Sequence, residues 1–183
     1  MAVVSITETM QYLTFKLAEE VFALDITKVR EVLEFSSVTK IPRTPVFMRG
    51  VINLRGSVVP VIDMRLKFGM TQTQKSVNTC VIIVEVTLGS EKTVLGALVD
   101  SVQEVIELEP EKIESPPNIG MHMSTDFIKG MGKRDEEFII ILDIDKIFTL
   151  EELSEFHSAG KASVNQERPL SQGALTPPGV SNN

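Results

Sequence analysis

The chain has 183 residues, 43% of them hydrophobic, which suffices for one ordinary globular domain or two small lobes. Its net charge of −7 argues against a general nucleic-acid binder, because phosphate affinity needs accumulated positive charge. The single cysteine, Cys80, excludes an intramolecular disulfide, and the longest purely apolar runs, CVIIV and FIIIL, are too short to span a bilayer.

The opening MAVVSIT lacks a basic segment, so no signal peptide is expected. MQYLTFKL then reads as a strand, with a tight turn around Ala18 to Glu20 and a second strand in EEVFALDI. VREVLEF is predicted to be a half-buried strand. GVINLRGSVVPVID reads as a hairpin whose turn lies in NLRG, with Asn53 and Gly56 as the residues tolerant of left-handed backbone. Pro60 cannot donate to a ladder, so its strand is expected to have an edge or a bulge there. MRLKFG forms one or two helical turns. NTCVIIVEV, TVLGALVDSVQEVIEL and EFIIILDI supply further strands, punctuated by Pro110, Pro116 and Pro117. Cys80, within an apolar run, is expected to be a small buried hydrophobe. TLEELSEF carries a capping-box signature at Thr149 and Glu152, with Leu150, Leu153 and Phe156 on one face. Residues 158–183 are rich in Gly, Ser, Pro, Asn and Gln and are expected to be disordered.

The chain repeats itself. VREVLE (29–34) returns as VQEVIE (102–107), and KIPRTP (40–45) meets KIESPP (112–117). FMRGVINLRGSVVPVIDMRLKF (47–68) then aligns without a gap to FIKGMGKRDEEFIIILDIDKIF (127–148), at a constant offset of 80. Phe47/Phe127, Gly50/Gly130, Asp63/Asp143 and Phe68/Phe148 are identical, and NIGMHMSTD (118–126) is the one insertion. Matching Gly and Asp at fixed spacing indicates an internal duplication in two copies, not a solenoid. Each half is near the size at which a lone core is marginal, so the two lobes should share an interface. Many short strands and regular turns point to an all-β fold of two small barrels.

Catalytic equipment is sparse. His122 and His157 are expected to be solvent-exposed, and without Cys/His clusters no zinc site can be assembled. GMGK (130–133) lacks the remainder of a phosphate loop and reads as a strand end. Asp143 and Asp145 could place two carboxylates on one strand face for acid–base work, but the Asp63 match favours a helix-capping role for Asp143. Between positions 40 and 67, six cations (Lys40, Arg43, Arg49, Arg55, Arg65, Lys67) face only Asp63. That segment reads as an electrostatically guided partner surface or as scattered solvated charge. A small RNA-binding barrel is the competing use of those cations, poorly equipped for base stacking with Tyr12 and no Trp. Glu31 interrupts an apolar strand and Arg55 sits at an apolar hairpin tip. The two either pair or both face water.

YLTFKLAEEVFALDITKVREVLE, IPRTPVFMRGVINLRGSVVPVIDMRLKFG, LGALVDSVQEVIELEPEKI and FIKGMGKRDEEFIIILDIDKIF closely resemble the CheW family of bacterial chemotaxis coupling proteins, from about Gln11 to Leu153. The resemblance implies two SH3-like five-stranded β-barrel lobes within a domain over 11–153. The lobes would cover roughly 11–70 and 76–148, with strand exchange between them. It also implies a non-catalytic adaptor without cofactor or metal. Such an adaptor binds the cytoplasmic tips of methyl-accepting chemoreceptors and the regulatory domain of the histidine kinase CheA. It would be cytoplasmic and recruited to membrane-bound arrays. A related adaptor of a pilus or surface-sensing system is the alternative. By the same resemblance Val29, Glu31, Arg55 and Gly50 belong to receptor binding, and Cys80, Val81, Gly96 and Val102 to kinase binding or coupling. No strand–helix alternation follows, so a CheV-type receiver domain is not expected.

Overall fold

The computed structural model describes residues 9–116 and 126–155. Strands β1 (Met10–Leu17), β2 (Glu20–Asp25) and β3 (Val29–Glu34) come first, with a 3₁₀ turn at Ile26–Lys28. β4 (Met48–Leu54) and β5 (Ser57–Asp63) form the hairpin, followed by α1 (Met64–Lys67). β6 (Cys80–Leu88), β7 (Glu91–Val99) and β8 (Ser101–Leu108) follow. A second 3₁₀ turn (Pro110–Lys112) leads to β9 (Ile113–Glu114), β10 (Ile128–Arg134), β11 (Glu137–Leu142) and α2 (Ile144–Ile147). A last helical turn, α3, covers residues 150–155. Its capping box is made: Thr149 N–H donates to Glu152 Oε1 at 3.1 Å, and Glu152 N–H donates to Thr149 Oγ1 at 3.1 Å. Leu153 is buried but Leu150 is exposed, so the apolar face expected for this helix is narrower than its sequence suggests.

The strands form two sheets, ordered β3-β6-β7-β5-β4 and β8-β1-β2-β11-β10-β9. The all-β, two-lobed architecture is as expected, and the strands that change lobes can be named. The leading hairpin β1–β2 leaves its own repeat and joins β8–β11, while β6–β7 joins β3–β5. The two sheets then match position by position. β3 corresponds to β8, β6 to β1, β7 to β2, β5 to β11 and β4 to β10. β5 meets β7 in parallel as β11 meets β2. The sixth strand, β9, is a two-residue pairing on β10. Its counterpart in the first lobe is the single bridge Thr39–Val51.

Three apolar clusters follow from this exchange. Phe35, Val59, Val61, Val81, Ile83 and Leu98 fill the first lobe. Tyr12, Ala23, Ile106, Leu108, Ile139 and Ile141 fill the second. The largest cluster lies between the lobes, where Leu13, Phe15, Phe22 and Leu24 meet Ile62, Met64, Ile82, Val84 and Ala97. β1 and β6 are therefore covered on both faces, which explains their nearly continuous apolar runs. Phe68, just after α1, stacks between Phe22 (5.8 Å between centroids) and Phe127 (5.3 Å), two rings of the opposite lobe.

The duplicated residues keep duplicated roles. Asp63 accepts from the Arg65 and Leu66 amides to cap α1, and Asp143 accepts from the Asp145 amide to cap α2. Asp63 is fully buried and also receives Thr73 Oγ1 at 2.7 Å and Arg49 Nη1 at 3.0 Å. A register shift falls between Met48 and Gly50 in one hairpin, and between Ile128 and Gly130 in the other. Pro60 sits where β5 has no partner other than β4, since β7 pairs only with Val61–Asp63; this is the edge its missing N–H requires. The insertion at 118–126 falls, except for Asp126, outside the described residues, as do His122, Phe156, His157 and the segment 158–183. Among the described residues, no helix is long and apolar enough to cross a membrane.

At Gly50 (φ 148°) an added Cβ would lie 2.3 Å from the Thr39 carbonyl oxygen, whereas at Gly56 (φ 86°) it would meet nothing within 4 Å. Gly50→Ala should therefore cost more than Gly56→Ala, at least about 1–3 kcal/mol from steric displacement alone. Urea denaturation of the two variants measures the difference, and equal midpoints would contradict it.

Candidate functional site at the seam of the first lobe

β3 and β4 are the two edges of the five-stranded sheet, and the lobe closes where they approach each other. One end of this seam is joined by the Thr39–Val51 bridge. The other is joined by side chains. Arg55 Nη1 and Nη2 donate to Glu31 Oε1 and Oε2 at 2.7 and 2.8 Å, a two-point fork from the β4–β5 tip onto β3. Glu31 and Arg55 thus pair, as one of the two sequence readings had it. A cleft of about 320 Å³ opens between the two closures, lined in part by Leu33, Phe35, Val38, Val51, Asn53 and Val81.

The hairpin tip is built to present Arg55. Arg55 (φ 50°) and Gly56 (φ 86°) occupy the left-handed region, and Asn53 Oδ1 accepts the Gly56 amide at 2.8 Å. The sequence reading assigned left-handed backbone to Asn53; Asn53 instead buttresses the turn through its side chain, and Arg55 takes the strained position. The Arg55 side chain is 74% exposed and that of Glu31 25%. The Arg55 hydrogen bonds hold the Glu31 carboxyl below its ordinary range against an opposing push from desolvation, and Glu31 in turn raises Arg55.

A register shift separates Val29 from Glu31. Val29 pairs with Val84 and Val32 with Ile82, both partners facing the interlobe core. Glu31 pairs with Ile83 and Leu33 with Val81, both facing the interior of the lobe. Val29 and Glu31 are therefore neighbours on opposite faces. Val32, 40% exposed, extends the apolar edge begun by Val29. Sequence reasoning missed Val32 because the bulge breaks the alternation that would have shown its direction.

The second group divides. Val81 is buried, and a Cβ on Gly96 would lie 2.7 Å from Val81 Cγ1, so both are internal packing of the first lobe. Cys80 is half-buried, not the buried hydrophobe expected, because it starts β6 where Asn78 O takes its thiol at 3.2 Å. Val102 belongs to the other sheet, on β8 opposite Phe15, at the margin of the interlobe core.

The cationic segment is largely spent inside the molecule. Arg49 binds Asp63, Arg55 binds Glu31, Arg65 binds Asp100 and Lys67 binds Glu152. Among the described residues, Lys40 and Arg43 alone of the six make no ion pair or side-chain hydrogen bond. Scattered solvated charge therefore describes only Lys40 and Arg43, both exposed. Asp143 and Asp145 do not share a strand face: Asp143 caps α2, while Asp145 lies within it, bound to Lys28 at 2.8 Å and the Thr87 amide at 2.7 Å. Among the described residues, no group of three or more His, Cys, Asp or Glu is placed to hold a metal.

The chain is similar to known proteins. The CheW-like domain model matches residues 11–152. The chemotaxis protein CheW of Klebsiella aerogenes is 35% identical over 156 residues, which is 85% of this chain and 92% of that protein. The chemotaxis protein CheW of Thermotoga maritima is 33% identical over 140 residues, 75% of this chain and 86% of that protein. The crystal structure of the scaffolding protein TtCheW from Thermoanaerobacter tengcongensis superposes with a TM-score of 0.70 at 41% identity, covering 79% of this chain and 96% of that one. The molecule is thus a double β-barrel assembled by hairpin exchange between duplicated halves. The chain belongs to the CheW-like family.

The Glu31 shift gives a signed expectation. A depressed carboxyl contributes above its unfolded value and loses that contribution as pH falls through its folded value. The Glu31 Cδ resonance should accordingly titrate at lower pH in the wild type than in Arg55→Gln, where it returns toward the ordinary glutamate range. Identical midpoints in the two proteins would remove the clasp.

Proposed function

We propose that the protein is a non-catalytic adaptor that couples methyl-accepting chemoreceptors to the histidine kinase CheA. Family membership supports this reading, and the observation that carries it is the Glu31–Arg55 clasp beside the Val29–Val32 edge. The clasp holds the hairpin tip against β3 and mutually neutralises the two charges, so an apolar strip lies next to a fixed polar landmark. That combination suits a helical receptor tip, with apolar contact supplying affinity and the polar clasp supplying register. Val29, Val32, Glu31 and Arg55 form the receptor side in this reading, and Gly50 acts through the Thr39 backbone it lies against. On the kinase side, Cys80 and Val102 are the accessible members. Val81 and Gly96 support them from within by keeping β6 and β7 closely packed. No catalytic residue and no cofactor enter the mechanism. The adaptor works in the cytoplasm at membrane-bound receptor arrays, where many modest contacts gain strength through effective concentration.

Arg55→Glu places two carboxylates at the seam and should lower affinity for receptor signalling tips at least about tenfold in co-sedimentation, with the circular dichroism spectrum unchanged. Combining it with Glu31→Arg restores opposite charges and should recover part of the loss. Unchanged sedimentation of Arg55→Glu contradicts the receptor assignment. A double variant no better than the single one contradicts the role of the ion pair.

A further inference from the structure

Among the described strands the polypeptide passes from one sheet to the other twice, and both crossings are short. The first runs from β2 through Ile26–Lys28 into β3, and the second from β7 through Asp100 into β8. Each is joined to a helix by an ion pair whose carboxylate also takes the backbone amide of an exchanged hairpin. At the second crossing, Arg65 of α1 donates through Nε to Asp100 Oδ1 at 2.8 Å and through Nη2 to Oδ2. The Ala18 amide, in the β1–β2 turn, donates to Asp100 Oδ2 at 2.8 Å, and Asp100 N–H donates to Lys16 O at 3.1 Å. At the first crossing, Lys28 Nζ donates to Asp145 Oδ2 of α2 at 2.8 Å. The Thr87 amide, near the β6–β7 turn, donates to Asp145 Oδ1 at 2.7 Å.

Arg65 and Asp145 occupy equivalent positions, 80 residues apart in the duplicated alignment. The two clamps therefore share one helix position and have opposite polarity. In one the carboxylate sits on the crossing and the cation on the helix, and in the other these places are exchanged. The side chains of Arg65 and Asp100 are each only 22% exposed, and those of Lys28 and Asp145 are 31% and 27% exposed, so all four are partly shielded from solvent. Burial alone would raise the Asp100 carboxyl; the Arg65 fork, the Ala18 amide and the Arg65 charge outweigh it and leave it below its ordinary range. The close-packed interlobe core, with Phe68 stacked between Phe22 and Phe127, supplies cohesion and a coarse orientation. Directional bonds at two separate crossings add a finer restraint on the angle.

We propose that Arg65–Asp100 and Lys28–Asp145 are positioning pairs that fix the angle between the lobes, and that this angle lets the receptor side and the kinase side engage together. The coupling half of this inference rests on the adaptor reading above; the geometric half does not. The test uses the full chain with nitroxides at Glu91 in the first lobe and Glu137 in the second, attached through azide-bearing residues so that Cys80 is untouched. Arg65→Gln and Asp100→Asn should each broaden the interlobe distance distribution by pulsed electron–electron resonance. Each should leave the affinities for receptor tips alone and for kinase alone within about twofold, and lower kinase stimulation in the three-component assembly by about tenfold. The inverted pair Arg65→Asp with Asp100→Lys copies the polarity of the other clamp, and should restore both the narrow distribution and the stimulation. An unchanged distribution in both single variants overturns the proposal, as does a broadened distribution with full stimulation or an inverted pair that restores neither. If the wild-type protein binds neither partner, the adaptor reading falls, and the clamps are judged on the distance distribution and its recovery by inversion.

Discussion

The exchange of hairpins between the two repeats is the constraint on which the rest of the structure depends. Neither repeat keeps the strands needed to complete its own sheet. β1–β2 must find β8 and β11, and β6–β7 must find β3 and β5. The repeats are therefore not beads on a string: separating them would strip each sheet of two strands. The interlobe core is the consequence. Strands exchanged between sheets carry apolar residues on both faces, and the outer face of each exchanged hairpin is buried against the opposite lobe. Phe68 standing between Phe22 and Phe127 shows how far the halves interpenetrate. Two marginal lobes become one body with three apolar clusters, which is a physical answer to the small-domain problem.

Charge then does what the apolar core cannot. Four of the six cations in the 40–67 segment are bound to carboxylates, and each of these pairs fixes a different element. Arg49 on Asp63 anchors the start of α1, Arg55 on Glu31 closes the seam, Arg65 on Asp100 pins a crossing, and Lys67 on Glu152 ties α1 to α3. Lys67 also lies over the Phe47 and Phe148 rings, at 4.6 and 5.6 Å from their centroids, a second attachment across the lobes. A cluster of like charges in sequence is thus dispersed in space, because β4, β5 and α1 point in different directions. Its residues act as fasteners, and little of the segment remains for phosphate.

Much of this was legible in the residues. The offset of 80 between two Gly–Asp frames revealed the duplication, and Asp63 and Asp143 do cap equivalent helices. The hairpin at NLRG and the capping box at Thr149 follow from local rules, while the pairing of Glu31 with Arg55 was one of two readings their charge allowed. What the sequence concealed is non-local. A repeat boundary does not say which sheet a hairpin joins, since an apolar strand fits a sheet of its own repeat and its duplicate equally well. The bulge at Val29–Glu31 hid the direction of Val32, because one inserted residue reverses every later side chain. Cys80 looked buried because its run is apolar, yet the first residue of a strand lies at the margin of the sheet. Arg65 and Asp100 gave no signal at all, being 35 residues apart with nothing periodic between them.

The inverted polarity of the two clamps shows which of their members is indispensable. In both, the group that receives the hairpin amide is a carboxylate: Asp100 takes Ala18 N–H and Asp145 takes Thr87 N–H. Only an acceptor can fill that role, and neither a guanidinium nor an ammonium has one to offer. The cation's part is less demanding: it balances the carboxylate's charge in a partly shielded place and points at its free lone pairs. The duplicated frame accordingly tolerates the carboxylate on the crossing or on the helix, provided it still reaches the amide and a cation stands opposite. A shared helix position with exchanged charge is what remains when position is held by the backbone and polarity is left to the pair. The same reasoning separates the clamps from the Glu31–Arg55 clasp, which joins one lobe to itself and leaves its guanidinium largely in solvent. The clasp shapes the surface of one lobe, whereas the clamps bridge the crossings between the two.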